Sequence, residues 1–96
     1  MTIREKFERF DAAHPEVYAA LVELARRWVQ AGGTRWSIWA AFNVLRWERR
    51  MAGLPDPEED FKLSNNYTSL YSRKIMANEA DLDGLFVTKP QTAAAR

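Results

Sequence analysis

The chain has 96 residues, 47% hydrophobic and 28% charged, a composition that predicts one globular domain with a single modest core; a second domain is not expected. Its 14 basic and 13 acidic side chains leave a formal net charge of +1, so bulk attraction to nucleic acid or to an anionic membrane is not predicted. With no cysteine, disulfides, thiol catalysis and cysteine-based zinc sites are excluded. Neither an apolar leader nor a run long enough to cross a membrane is read, and a cytoplasmic protein is expected.

Thr2 followed by Glu5 fits a capping box, after which Ile3, Phe7 and Phe10 lie along one side of a short helix ending near Asp11. His14-Pro15-Glu16 then reads as a second start, with His14 as the cap, proline at the first helical position and Glu16 at the positive end of the dipole. Val17, Leu21, Leu24, Ala25 and Trp28 recur at helical spacing, with Glu23, Arg26, Arg27 and Gln30 opposite. Gly32-Gly33 ends this helix, since glycine readily takes the left-handed conformation.

Ser37 can cap a third helix that reaches Ala52 and is stopped by Gly53-Leu54-Pro55. At about 100° per residue, its Ile38, Ala40, Ala41, Phe42, Val44, Leu45, Trp47 and Met51 sweep more than half the circumference. That pattern predicts a central helix buried against several neighbours. What stays polar is a narrow strip of Asn43, Arg46 and Arg50, with Trp39 among them.

Asp56 to Asp60 reads as an acidic loop and Phe61-Lys62-Leu63 as a short extended segment. Ser64, Asn65 and Asn66 are good caps for a fourth helix running to about Asn78. Tyr67, Leu70, Tyr71, Ile75 and Ala77 share one side of it, and Asn65, Asn66, Thr68, Ser69, Ser72 and Arg73 the other. Lys74 falls on the apolar side and has to snorkel. Glu79 to Gly84 suggests an acidic turn after which Leu82, Leu85 and Phe86 return to the core. Residues 86–88 are expected to pair with 61–63 as a minimal two-stranded ribbon. The tail from Lys89 to Arg96 has nothing to bury. The fold class expected is all-α: a bundle of about four helices over residues 1–88, helix-turn-helix-like in that two long helices joined by the Gly32-Gly33 turn are followed by the fourth, although Gly53 to Leu63 is longer than the turn of that motif.

Charge is segregated along the chain. Arg26, Arg27, Arg35, Arg46, Arg49 and Arg50 meet one acid, Glu48, whereas Asp56, Glu58, Glu59 and Asp60 follow directly. On the fourth helix, Asn65, Asn66, Thr68, Ser69, Ser72 and Arg73 are the residue types that read base edges and phosphates. The alternative is that Ser64 and Asn65 cap the helix and the rest is a solvated face. On the third, Trp39, Asn43, Arg46 and Arg50 can clamp phosphates or stack a base. Their alternative is a helix edge whose arginines pair with the Asp56 to Asp60 cluster while Trp39 packs under the first helix. Catalysis is not expected: His14 is the single histidine, and no nucleophile set, metal-ligand spacing or Gly-rich phosphate loop accompanies it. No cofactor and no metal is implied.

The segments Leu45, Arg46, Trp47, Glu48 and Phe61, Lys62, Leu63, Asn65, Asn66, Tyr67, Tyr71, Arg73 resemble those of small bacteriophage- and prophage-type proteins. In those proteins a Leu-Arg-Trp-Glu helix end is followed by Phe-Lys-Leu-Asn-Asn-Asn-Tyr and Tyr-Ala-Arg. The likeness spans about His14 to Thr88, and Ser64 and Ser72 stand where asparagine and alanine are commoner. It implies a phage-related gene product in a bacterial cytoplasm and brings no activity with it. The function favoured is DNA binding, as a regulator or a replication or recombination accessory acting through the two polar surfaces; the alternative is capture of a host or phage protein anchored by Trp39, Tyr67 and the arginines, and either permits a homodimer. A coherent positive surface favours DNA, and an exposed apolar patch of more than a few hundred Å² favours a protein.

Overall fold

Helix starts and stops fall where local chemistry puts them. The computed structural model describes residues 2–54 and 65–86. Among these residues the helices are α1 (Ile3–Ala13), α2 (Pro15–Gln30), α3 (Ile38–Met51) and α4 (Asn65–Asn78), followed by a 3-10 turn at Ala80–Leu82, with no strand. At α1 the Glu5 amide donates to Thr2 Oγ1 at 3.1 Å and the Thr2 amide donates to Glu5 Oε1 at 2.9 Å, closing the capping box. The helix runs two residues beyond Asp11 and stops before Pro15.

His14 does not cap α2 with its side chain. Proline at the first position has no amide to satisfy, so the helix needs less from a cap there. The imidazole instead packs on Phe10, 4.7 Å between ring centroids, and places Nδ1 3.4 Å from Glu16 Oε2.

Both α2 and α3 end in the same hydrogen-bond pattern. The Gly33 and Gly32 amides donate to the Trp28 and Val29 carbonyls, and the Leu54 and Gly53 amides donate to those of Arg49 and Arg50. Each pair is a Schellman motif turning on a left-handed glycine, Gly32 at φ +100 and Gly53 at φ +76. Ser37 Oγ accepts from the Trp39 and Ala40 amides at 3.1 and 3.4 Å, so both ends of α3 are closed as the sequence predicts.

The central helix, however, is α4. It packs against α1, α2, α3 and the 3-10 turn, whereas α3 packs on α2 and α4. Tyr71 is fully buried where three helices meet: Phe7 of α1 stands edge-on at 4.7 Å and Phe42 of α3 lies at 5.7 Å. Tyr67 beside it meets Phe7 and Phe10 at 5.8 and 5.4 Å. Ile38, Ala41, Phe42 and Leu45 of α3 are buried, but Val44, Trp47 and Met51 face outward, correcting the expectation of a helix enclosed on several sides. Two neighbours lie on one arc of α3, and nothing described covers the other.

Leu82, Leu85 and Phe86 are buried as expected. The Trp36 amide donates to the Leu85 carbonyl at 3.1 Å, and Trp36 forms a parallel bridge with Phe86. Residues 61–63 and 87–88 of the expected ribbon, the acidic loop 56–60 and the tail lie outside the described residues. Trp36 also stacks on Trp28, 4.9 Å apart and 3° from parallel, tying the α2–α3 link to the end of the fold. Lys74 snorkels out of the apolar arc of α4 to the Asp11 carboxylate, with its ammonium 4.8 Å over the Tyr18 ring.

Two substitutions test this packing. A Cβ on Gly33 falls 2.2 Å from Trp28 Nε1, so Gly33→Ala must displace the stacked indoles and is expected to cost about 1–3 kcal/mol in urea denaturation. The Tyr71 hydroxyl is buried with no hydrogen-bond partner among the described residues, and burial raises its pKa well above the ordinary tyrosine value. Tyr71→Phe keeps the ring packing and removes that hydroxyl, so it is expected to stabilise the fold by about 1 kcal/mol; a lower urea midpoint would refute the assignment.

Candidate interaction surface

The outward arc of α3 is built from apolar residues alternating with polar ones. Ala40, Val44, Trp47, Met51 and Leu54 follow at alternate steps of four and three, the spacing of a continuous apolar seam along a helix. Trp47 is 63% exposed, Met51 61% and Trp39 44%, and Val44 and Leu54 are exposed beside them. With aromatic side chains of about 150–250 Å² each, the exposed apolar area is on the order of 500 Å². These five make up most of the exposed large apolar residues among those described; Ile3 and Val29 are the others. Periodicity marked all but Leu54 and Trp39 as core, because an apolar stripe looks the same whether the helix or a partner's groove covers it.

Of the polar strip, Asn43 and Arg50 are exposed in the same arc, next to Trp39, which is not packed under α1. Arg46 and Arg49 are half-buried and each is engaged in an interaction. Trp39, Asn43 and Arg50 thus come together with Trp47 and Met51 on one surface.

The candidate reading face of α4 does not assemble. Thr68 and Ser72 are buried, Ser69 is half-buried and Arg73 is exposed; Asn65 and Asn66 open the helix, and their side chains lie outside the described residues. Thr68 and Ser72 sit on the wheel beside Tyr71 and Ile75, in the arc that meets the neighbouring helices. Ser72 Oγ donates to the Ser69 carbonyl at 2.9 Å, so this hydroxyl enters the interior already satisfied by its own helix. Arg73 lines a cleft between α1 and α4, away from Trp39 and Arg50.

The basic run is neutralised in part by distant acids. Arg26 donates to Glu79 Oε1 at 2.8 Å and to Asp81 Oδ2 at 2.9 Å, and Arg27 lies 3.3 Å from Glu48 Oε2. The Tyr18 hydroxyl donates to Glu79 Oε2 at 2.9 Å. Burial, helped by that carboxylate, pushes the Tyr18 pKa up to about 12. Among the described residues no group of His, Asp and Glu could hold a metal ion, and no helix is long and apolar enough to cross a membrane. No family model, curated protein or solved structure matches this chain.

The Arg26 hydrogen bond holds the Asp81 carboxyl below its ordinary value of 3.8. A depressed carboxyl contributes stability that is present above the ordinary value and lost as pH falls through the lower folded one. Tyr18 runs the other way: its pKa is raised, so its contribution holds below pH 10 and is lost as pH climbs through about 12. Arg26→Gln is therefore expected to lower the urea midpoint at neutral pH, with the gap to wild type narrowing as pH is taken from about 5 to about 2. Because Arg26 and Asp81 both face water, the gap should also shrink in salt; one independent of pH would refute the pairing.

Proposed function

We propose that this chain is a protein-binding module that inserts the outward face of α3 into an apolar groove of its partner. The supporting observation is the Trp39, Trp47 and Met51 surface: large apolar side chains gathered on one helix, with Arg50 and Asn43 beside them. Tryptophan and arginine are the residue types that carry interface energy, and a helix offering anchors at steps of three and four is a common ligand for a groove. Arg50 calls for carboxylates at the groove's rim.

A second copy of the chain is a poorer occupant. A two-fold pairing of α3 sets Arg50 beside a second arginine-bearing helix edge instead of the carboxylates it calls for. The DNA reading draws less support, because two of its candidate contacts, Thr68 and Ser72, are interior and Arg26, Arg27 and Lys74 are tied to acids. The setting we assign, a phage-related role in a bacterial cytoplasm, rests on the resemblance of the Leu45–Glu48 and Phe61–Arg73 segments.

The test is crosslinking and affinity capture from bacterial lysate with wild type and Trp47→Ser/Met51→Ser, beside anisotropy of labelled duplex and single-stranded DNA at about 50 and 200 mM salt. Both replaced side chains are exposed, so the variant should keep its urea midpoint while losing the captured protein, by about 30-fold or more in affinity. Salt-sensitive DNA binding that survives in the variant would overturn the proposal, as would a captured protein that the variant holds equally well.

A further inference from the structure

The cleft between α1 and α4 is open to solvent on one side and offers about 330 Å³, within the range that accepts a small ligand. Leu70 lines it as half-buried apolar surface over a floor formed by the edge of the buried Phe7, and Arg4 and Arg73 line it from opposite helices. Lys74 and Asp11, which also line it, are already bonded to one another. Arg4 and Arg73 have no hydrogen-bond or ion-pair partner among the described residues, in contrast to Arg26 and Arg27. Two uncommitted guanidiniums beside apolar surface suit a ligand with an oxyanion at one end and an apolar body at the other, since each can present paired N–H donors to a planar anion.

Charge decides which anion. The cleft holds Arg4, Arg73 and Lys74 against Glu8 and Asp11, an excess of one positive charge. A monoanion balances that excess, whereas a phosphate dianion overshoots it and meets the Glu8 carboxylate. We infer that the α1–α4 cleft is a binding site for a small monocarboxylate, its carboxylate held by Arg4 and Arg73 and its apolar body against Leu70, over the floor that Phe7 forms. A free aryl or alkyl carboxylate and the C-terminus of a peptide ending in an apolar residue present the same chemistry.

The site is independent of the α3 surface and is tested by amide chemical shifts of the full chain during titration with 3-phenylpropanoate, acetyl-Gly-Phe, its C-terminal amide and phenyl phosphate. Either carboxylate should shift the amides of Phe7, Glu8, Leu70 and Arg73. Binding of 3-phenylpropanoate assigns a free acid, and binding of acetyl-Gly-Phe alone assigns a peptide terminus. Arg4→Gln and Arg73→Gln, both at exposed positions, should each weaken binding by about tenfold, and Glu8→Gln should improve the standing of phenyl phosphate. No shift at these residues, equal binding of the amide, tighter binding of phenyl phosphate to wild type, or affinities unchanged in both arginine variants would each overturn the inference.

Discussion

The fold depends on the burial of Tyr71 against Phe7 and Phe42. These rings belong to α4, α1 and α3, and α4 is the element they share. Take α4 away and α1 and α3 each keep only α2 as a principal neighbour, so the rings of Phe7 and Phe42 lose their cover. Edge-on and tilted contacts among aromatic rings add to plain area burial, which lets a helix of modest apolar content organise three others. The polar atoms it carries inward are the cost. Ser72 meets that cost through its own backbone, and the Tyr71 hydroxyl is left without a partner among the described residues.

Caps and terminators were legible in the sequence because their physics is local. Thr2 with Glu5, Ser37, Gly32 and Gly53 act over three or four residues and need no knowledge of the rest of the chain. Lys74 was legible too, since a lysine within an apolar arc has few ways to keep its charge hydrated. What each helix faces was not legible. The broad apolar surface of α3 signalled contact without saying whether the chain or another molecule supplies it, and the hydroxyls of α4 looked solvated because a side chain that bonds its own backbone is polar in composition only. A more telling signal lay in the two stripes of α3: Ile38, Ala41, Phe42 and Leu45 form one complete core edge, and Ala40, Val44, Trp47, Met51 and Leu54 a second that a small domain has little mass left to cover.

Charge followed the same division. Along the sequence the arginines of residues 26–50 stand apart from acids, but folding places Glu79 and Asp81 on Arg26 from 53 and 55 positions away. Linear segregation of charge thus overstates the positive potential of the surface. The ion pairs that cancel it also hold the end of the described chain, where the 3-10 turn carries Leu82 into the core, against α2.

The stiffness of α3 bears directly on what its outer face can do. Ser37 closes one end, the Gly53 motif closes the other, and Arg27 bridges to Glu48 from α2, so the helix is held along its length before any partner arrives. A binding segment that folds only on contact loses several kcal/mol to ordering, whereas one already held loses only side-chain freedom. Trp39 and Trp47 have two side-chain torsions each, which keeps that remaining loss small. An apolar surface of about 500 Å² on one side is below the average for a stable complex, but in the proposed binding role a helix fixed in this way would retain more of the burial energy as affinity. Among the described residues nothing packs over these exposed side chains, so their outer surface is physically separate from the Tyr71 junction beneath them.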